Sequence, residues 1–169
     1  MARTVDTDKE HLAATLRAAA QHRGASLVEI YHNCNVFNDG AFDAVRAKGQ
    51  SEVNQIRLEH GRPIRFGAEG ERGVIRGAGG ELELTSVSDV GEDALLVHDA
   101  HRRDPGLAFE LAHLAERPTG PTPVGVFRDI ERPVYGEQFA EELETNRAQV
   151  GMDDLRELLH SGGTWTVGQ

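Results

Sequence analysis

Residues 26–40 constrain this chain more than any other stretch. Leu27, Val28, Ile30 and Tyr31, set around Glu29, have the β-branched and aromatic composition of a strand with little exposed face. A polar cluster follows directly, His32, Asn33, Cys34 and Asn35, and it holds the only cysteine of the chain. Asn38, Asp39 and Gly40 then supply turn and helix-start residues. A buried strand that empties into a loop of side-chain ligands is where α/β proteins place their chemistry.

The flanking sequence fits that frame. Thr7 and Glu10 have the spacing of a capping box, with Leu12, Leu16, Ala19 and Ala20 behind them at helical spacing and Gly24 as a stop. The spacing predicts a strand end at the start of the chain, a helix over residues 8–23 and a strand over 27–31, a piece of a parallel α/β sheet. Phe42 and Val45 share the inner face of a short helix ending near Gly49. From Val53 the period changes to alternation: Ile56 with Leu58, Ile64 with Phe66, then Val74 and Ile75, a glycine turn at 77–80, and Leu82, Leu84 and Val87. Residues 53–87 therefore read as antiparallel hairpins, a unit distinct from the parallel part. Helices are predicted over 93–101 and 107–115, separated by Asp104 and Pro105. A stiff connector covers 118–123 and a strand 124–127. One helix carries Phe139 and Leu143 on one face to about Val150, another opens at Asp153, and residues 164–167 form an extended tail.

Composition excludes some classes. At 169 residues the chain is long enough for one ordinary domain, and 18 basic against 28 acidic residues leave a net charge of -10. Such a surface repels phosphate backbones, so no nucleic-acid partner is expected; the nearest basic cluster, His101, Arg102 and Arg103, is flanked by Asp99 and Asp104. No apolar run approaches the ~20 residues that span a bilayer, and no signal-peptide core is present. One cysteine forms no internal disulfide, which fits a reducing cytoplasm.

Three clusters are candidates for chemistry. Cys34 sits among polar neighbours that do not suit a dry core, yet a free cysteine ordinarily behaves as a small hydrophobe. A catalytic thiolate needs a base such as His32, and a spacing of two does not ensure contact; a thiolate metal site needs further cysteines. His98 and His101, i and i+3 on the expected helix, are a possible two-ligand metal site, although a solvated helix end explains them as well. Gly67, Gly70 and Gly73 form no phosphate-binding loop and are assigned to hairpin turns. No residue is assigned a catalytic role.

Taken together, residues 2–6, the capped helix with Leu12 and Leu16, residues 27–31, and the segment from Asn33 through Cys34, Asn35, Val36 and Phe37 to Asp39 resemble the β subunit of 2-oxoacid:ferredoxin oxidoreductases. Residues 63–67, the hairpin at 73–76, His98 with Asp99, and residues 125–135 are similar to that subunit's C-terminal region. The style is that of the two-subunit type assigned to 2-oxoglutarate. The resemblance covers nearly the whole chain and is most specific around Cys34.

This resemblance implies an α/β fold: the C-terminal half of a thiamine diphosphate-binding parallel-sheet domain over residues 1–50, followed by an antiparallel hairpin and helical extension over 51–169. With an α subunit, the family decarboxylates a 2-oxoacid, joins the acyl group to coenzyme A and passes electrons through a [4Fe-4S] cluster to ferredoxin. By resemblance Cys34 is the last of four cluster ligands, with the Asn35 and Val36 amides donating to cluster sulfur. The family's other three cysteines, and the Gly-Asp-Gly segment that holds Mg2+ and the diphosphate, are not in this sequence. The expectation is thus the C-terminal portion of a cytoplasmic β subunit, from a truncated or split reading frame and inactive alone. Two alternatives stand beside it: a non-catalytic remnant that binds a partner subunit, and a small metal-binding domain using His98 and His101.

Overall fold

The structure, a computed structural model, describes residues 1–117, 120–150, 155–163, 165, 167 and 168. Two compact units are present, Met1–Glu131 and Arg132–Gln169.

The first unit is built on one mixed sheet. Its strands are β1 (Ala2–Val5), β2 (Val28–Tyr31), β3 (Gln55–Leu58), β4 (Arg65–Phe66), β5 (Arg72–Arg76), β6 (Leu82–Ser86) and β7 (Thr122–Val126). Their order across the sheet is β2-β1-β7-β3-β4-β5-β6. β1 and β2 are parallel, joined by helix α1 (Lys9–Gln21), and β3 to β6 run as the antiparallel meander that the alternation predicts. The meander is not a sheet of its own. β7 is inserted between the two parts, antiparallel to β1 and parallel to β3, and makes them one.

Apolar alternation positions the core as expected. Ile56, Phe66, Val74 and Leu82 point from the meander into a cluster closed by Leu107 and Leu111 of helix α5 (Gly106–His113), by Leu114 and by Phe127. Gly125 sits in the middle of β7 with φ +112°, and a Cβ there would meet the Leu58 carbonyl oxygen at 2.7 Å. Only glycine fits that approach.

Several sequence expectations are corrected. Asp8 rather than Thr7 caps α1: its Oδ1 accepts from the His11 amide at 3.0 Å, while the Thr7 hydroxyl donates to the Arg46 carbonyl at 3.3 Å. A carboxylate gains from the helix dipole as a hydroxyl does not. The short helix at Phe42 and Val45 is α2 (Asp43–Arg46), and Val53 belongs to a second turn, α3 (Ser51–Asn54), instead of opening a strand. β2 is not a strand with little exposed face. It is outermost in the sheet, leaving Ile30 42% and the preceding Leu27 63% exposed. The helix expected over 93–101 is also absent. After a short helix α4 (Val87–Val90) and a 3-10 turn (Glu92–Ala94), the chain is extended. There Leu96 bonds to Val74 and Ile64, and His98 bonds to Arg62 and Gly61, so the backbone groups a helix would use are taken by neighbouring strands and turns.

The second unit holds α6 (Tyr135–Val150), with Tyr135 stacked near Phe139, and α7 (Leu155–His160). Phe139 and Leu143 share a face, as expected. The expected helix start at Asp153, Thr164 and Thr166 of the expected tail, and Pro118 with Thr119 of the expected connector lie outside the described residues.

Candidate functional site

The loop after β2 is built from the strand outward. Tyr31, its last residue, stacks on Phe42 with ring centroids 4.3 Å apart, and the Arg3 guanidinium lies 5.1 Å from the Tyr31 ring centroid. Asp6, just past the parallel neighbour β1, fastens both ends of the region. Its carboxylate accepts from Arg46 Nε at 2.6 Å and Nη2 at 2.9 Å, and it pairs with His32 Nδ1 at 2.8 Å. The bidentate Arg46 contact holds the Asp6 carboxyl down at about 2, with His32 contributing in the same direction. His32 is thus committed to Asp6.

Asn33 fixes the loop itself. Its Nδ2 donates to Asn35 Oδ1 at 2.6 Å and to Asp39 Oδ1 at 2.8 Å, while its Oδ1 accepts from the Gly40 amide at 2.9 Å. Between these ties the chain turns back on itself, with the Asn38 amide donating to the Cys34 carbonyl at 2.9 Å. The turn brings the amides of Phe37, Val36 and Asn38 to the Cys34 sulfur, and these donors lower the thiol's pKa below its ordinary value. Cys34 is partly exposed, and the side chains of Val36 and Phe37 stand out from the loop, 80% and 90% exposed. The Val36 amide is among the donors to Cys34, and the Asn35 side chain takes part in the Asn33 clamp. The roles of Asn33, Asp6, Phe37 and Asn38 were not read from the sequence. The only signal was the Asn38, Asp39, Gly40 turn.

The histidine pair is a different matter. His98 is buried, and its Nε2 lies 2.8 Å from the Val126 carbonyl. A carbonyl only accepts, so Nε2 carries the proton and Nδ1 keeps its lone pair, which has no hydrogen-bond partner among the described residues. His101 turns to the Asp129 carbonyl, 2.6 Å from its Nδ1. The helix that would have aligned the two does not form, and among the described residues no three His, Cys, Asp or Glu side chains converge on a metal position. The metal-site expectation for His98 and His101 is overturned.

Burial pushes the His98 imidazole below its usual pKa, with the Val126 contact acting in the opposite direction. The folded state therefore resists a proton that the unfolded chain takes up, and stability falls as pH drops below about 6.5 towards the folded value. The urea midpoint, measured from pH 8 down to pH 5, is expected to decline less steeply in His98→Gln, which keeps a donor for Val126 and does not titrate. Parallel curves for the two proteins would refute this account.

The donor set fits one corner of an iron–sulfur cluster: a thiolate with peptide amides at its sulfur is the environment such clusters use. The chain has one cysteine, so it could supply at most one thiolate to such a cluster.

Comparison with known proteins bears on the loop's meaning. Over 167 residues, 98% of its length, the chain is 45% identical to 2-oxoglutarate oxidoreductase subunit KorB of Mycobacterium tuberculosis (strain ATCC 25618 / H37Rv). The β-subunit resemblance holds. The match takes in 44% of KorB, so the chain spans less than half the length of this curated relative, consistent with a C-terminal portion of a β subunit. The mixed α/β sheet is consistent with the C-terminal part of a thiamine diphosphate-binding domain. No family model matches the chain, and no solved structure does. Among the described residues no helix is long and apolar enough to cross a membrane.

Proposed function

We propose that this chain is the C-terminal portion of the β subunit of a 2-oxoacid:ferredoxin oxidoreductase of the 2-oxoglutarate type, acting in the cytoplasm with an α subunit. The observation that carries the reading is the 45% identity to KorB across 98% of the chain. Residues 1–50 are read as the end of the thiamine diphosphate-binding domain and residues 51–169 as the β-subunit extension. The complete enzyme would convert 2-oxoglutarate and coenzyme A to the acyl-CoA and pass the electrons to ferredoxin.

Within that enzyme, Cys34 would hold one iron of a [4Fe-4S] cluster, which would supply a one-electron relay to ferredoxin. This chain's part is to present a thiolate. The Val36, Phe37 and Asn38 amides offset negative charge on its sulfur, which favours the reduced form of whatever it ligates. The Asn33 clamp and the Asp6–Arg46 pair hold that loop in place. Thiamine diphosphate and Mg2+ belong to residues outside this chain. A second reading, a non-catalytic remnant that binds a partner subunit, is favoured by the open edge of β2.

Co-expression of the chain with an α subunit and with the part of KorB that it does not match separates the readings. The enzyme reading expects a brown complex with the absorption of a [4Fe-4S] cluster, lost in Cys34→Ala while the complex still assembles. A stable colourless complex would favour the remnant, and a chromophore undiminished in Cys34→Ala would refute the assignment of Cys34.

A further inference from the structure

The loop that carries Cys34 has little apolar contact to hold it in shape. Val36 and Phe37, at its tip, are almost fully exposed, so neither packs the turn against the sheet. Three amides from that tip, those of Phe37, Val36 and Asn38, nevertheless meet on one sulfur. Ordering a turn without packing costs conformational entropy, which hydrogen bonds must then offset. Asn33 is the side chain placed to supply them.

Asn33 is half-buried at the root of the loop and spans both of its limbs. Its Nδ2 donates to Asn35 on the outgoing limb and to Asp39 on the returning one, and its Oδ1 accepts from the Gly40 amide. The Gly40 amide only donates and the Asp39 carboxylate only accepts, so the Asn33 amide has one orientation that satisfies both. Both N–H groups and the carbonyl oxygen are in use. Aspartate has no N–H to give, and alanine has neither donor nor acceptor. The Asn38 amide closes the base of the turn on the Cys34 carbonyl, and the Asp6 contact with His32 stops short of the loop. Among the described residues no other side chain bonds across it.

We propose that Asn33 is a positioning residue that sets the reduction potential of a cluster bound through Cys34, by locking the Val36, Phe37 and Asn38 amides onto its sulfur. The inference rests on the β-subunit reading, with Cys34 as a cluster ligand, and adds the residue through which this chain tunes that cluster. N–H dipoles aimed at a ligand sulfur offset the negative charge that reduction adds, and hydrogen bonds to sulfur are among the levers that move cluster potentials. Releasing the three amides therefore makes the cluster harder to reduce.

The test uses the full chain, alone and co-expressed with an α subunit and the unmatched part of KorB. In the chain alone, Asn33→Ala is expected to speed amide exchange at residues 36–38 by at least about tenfold, with the unfolding midpoint close to wild type. In the complex, the ratio of reduced to oxidised cluster at a fixed potential is expected to fall about tenfold. For one electron that is a shift of about 59 mV to more negative values. Asn33→Asp loses both donors, sets a second carboxylate against Asp39 and is expected to open the loop as far. Adding Asp39→Asn to it supplies a donor from the other limb, and slow exchange at 36–38 is expected to return. A potential unchanged in Asn33→Ala, exchange at 36–38 indifferent to it, or a double variant as open as Asn33→Asp would overturn the inference and leave the β-subunit reading standing. Loss of the cluster from Asn33→Ala while the wild type keeps it would also overturn it, because Asn33 would then serve assembly and not potential. If the wild-type complex carries no cluster, the reading of Cys34 fails and takes the inference with it.

Discussion

One added methyl group, in Gly125→Ala, is expected to destabilise the first unit by about 3 kcal/mol or more. Two costs combine there. The residue holds φ +112°, which side-chain-bearing residues rarely adopt, and the new Cβ would lie 2.7 Å from the Leu58 carbonyl oxygen. Relief requires β7 to move away from β3, and β7 is the strand that joins both halves of the sheet. Gly80→Ala is the control. It has φ +92° with nothing within 4 Å of a built Cβ, so it reports backbone strain without the clash, about 1 kcal/mol. Urea unfolding of both variants decides the matter, and equal losses would show that the approach of Leu58 to Gly125 is not what requires glycine.

The second large effect is expected at Asp6. The bidentate contact with Arg46 holds its carboxyl at about 2, against an ordinary 3.8. A carboxylate whose folded pKa lies below its unfolded one stabilises the fold at neutral pH. That contribution is complete above about pH 5 and is lost as pH falls from about 4 to about 2. For a side chain 23% exposed it amounts to about 1–2 kcal/mol after solvent screening. Asp6→Asn keeps the shape but sets an amide against the guanidinium. The variant is expected to be less stable at pH 7 and to show a shallower decline between pH 4 and pH 2. It is also expected to free His32, giving faster amide exchange through residues 32–38. An acid limb as steep as that of wild type would mean that Asp6 carries no such share.

Those two residues also mark how far the sequence was legible. The meander was readable because Ile56, Phe66 and Leu82 stand between polar or glycine neighbours and Val74 with Ile75 forms a short apolar run before a glycine turn, and Ile56, Phe66, Val74 and Leu82 are all buried. β2 was readable as a strand, but not as an edge strand, because composition reports the company a residue prefers and not whether that company is in the same chain. Residues 93–101 misled for another reason. Asp93, Ala94, Leu95 and Leu96 suit a helix locally, and bonds to Val74, Ile64 and Arg62 overrode that preference. Thr7 and Asp8 are adjacent residues either of which can cap a helix, so only the geometry chose between them. At the candidate site the sequence marked Cys34, since it is the lone thiol, but not the amides around it. Every residue except proline carries an N–H, so only the loop's turn tells which ones meet the sulfur. Asp6 is 28 positions from Cys34 in the sequence, and nothing local links the two.

β7 has a consequence for the order in which this molecule is made. Of the seven strands, β1 and β2 leave the ribosome first, and the meander follows within the next 60 or so residues, yet the two have no direct pairing with each other. The strand between them comes last, from Thr122 to Val126, and pairs with β1 more than 100 positions away. Until it arrives, both of its future neighbours carry a bare edge. A nascent chain that stops short of Thr122 therefore holds two separate pieces of sheet, four open edges instead of two, and the core cluster without Phe127 to close it.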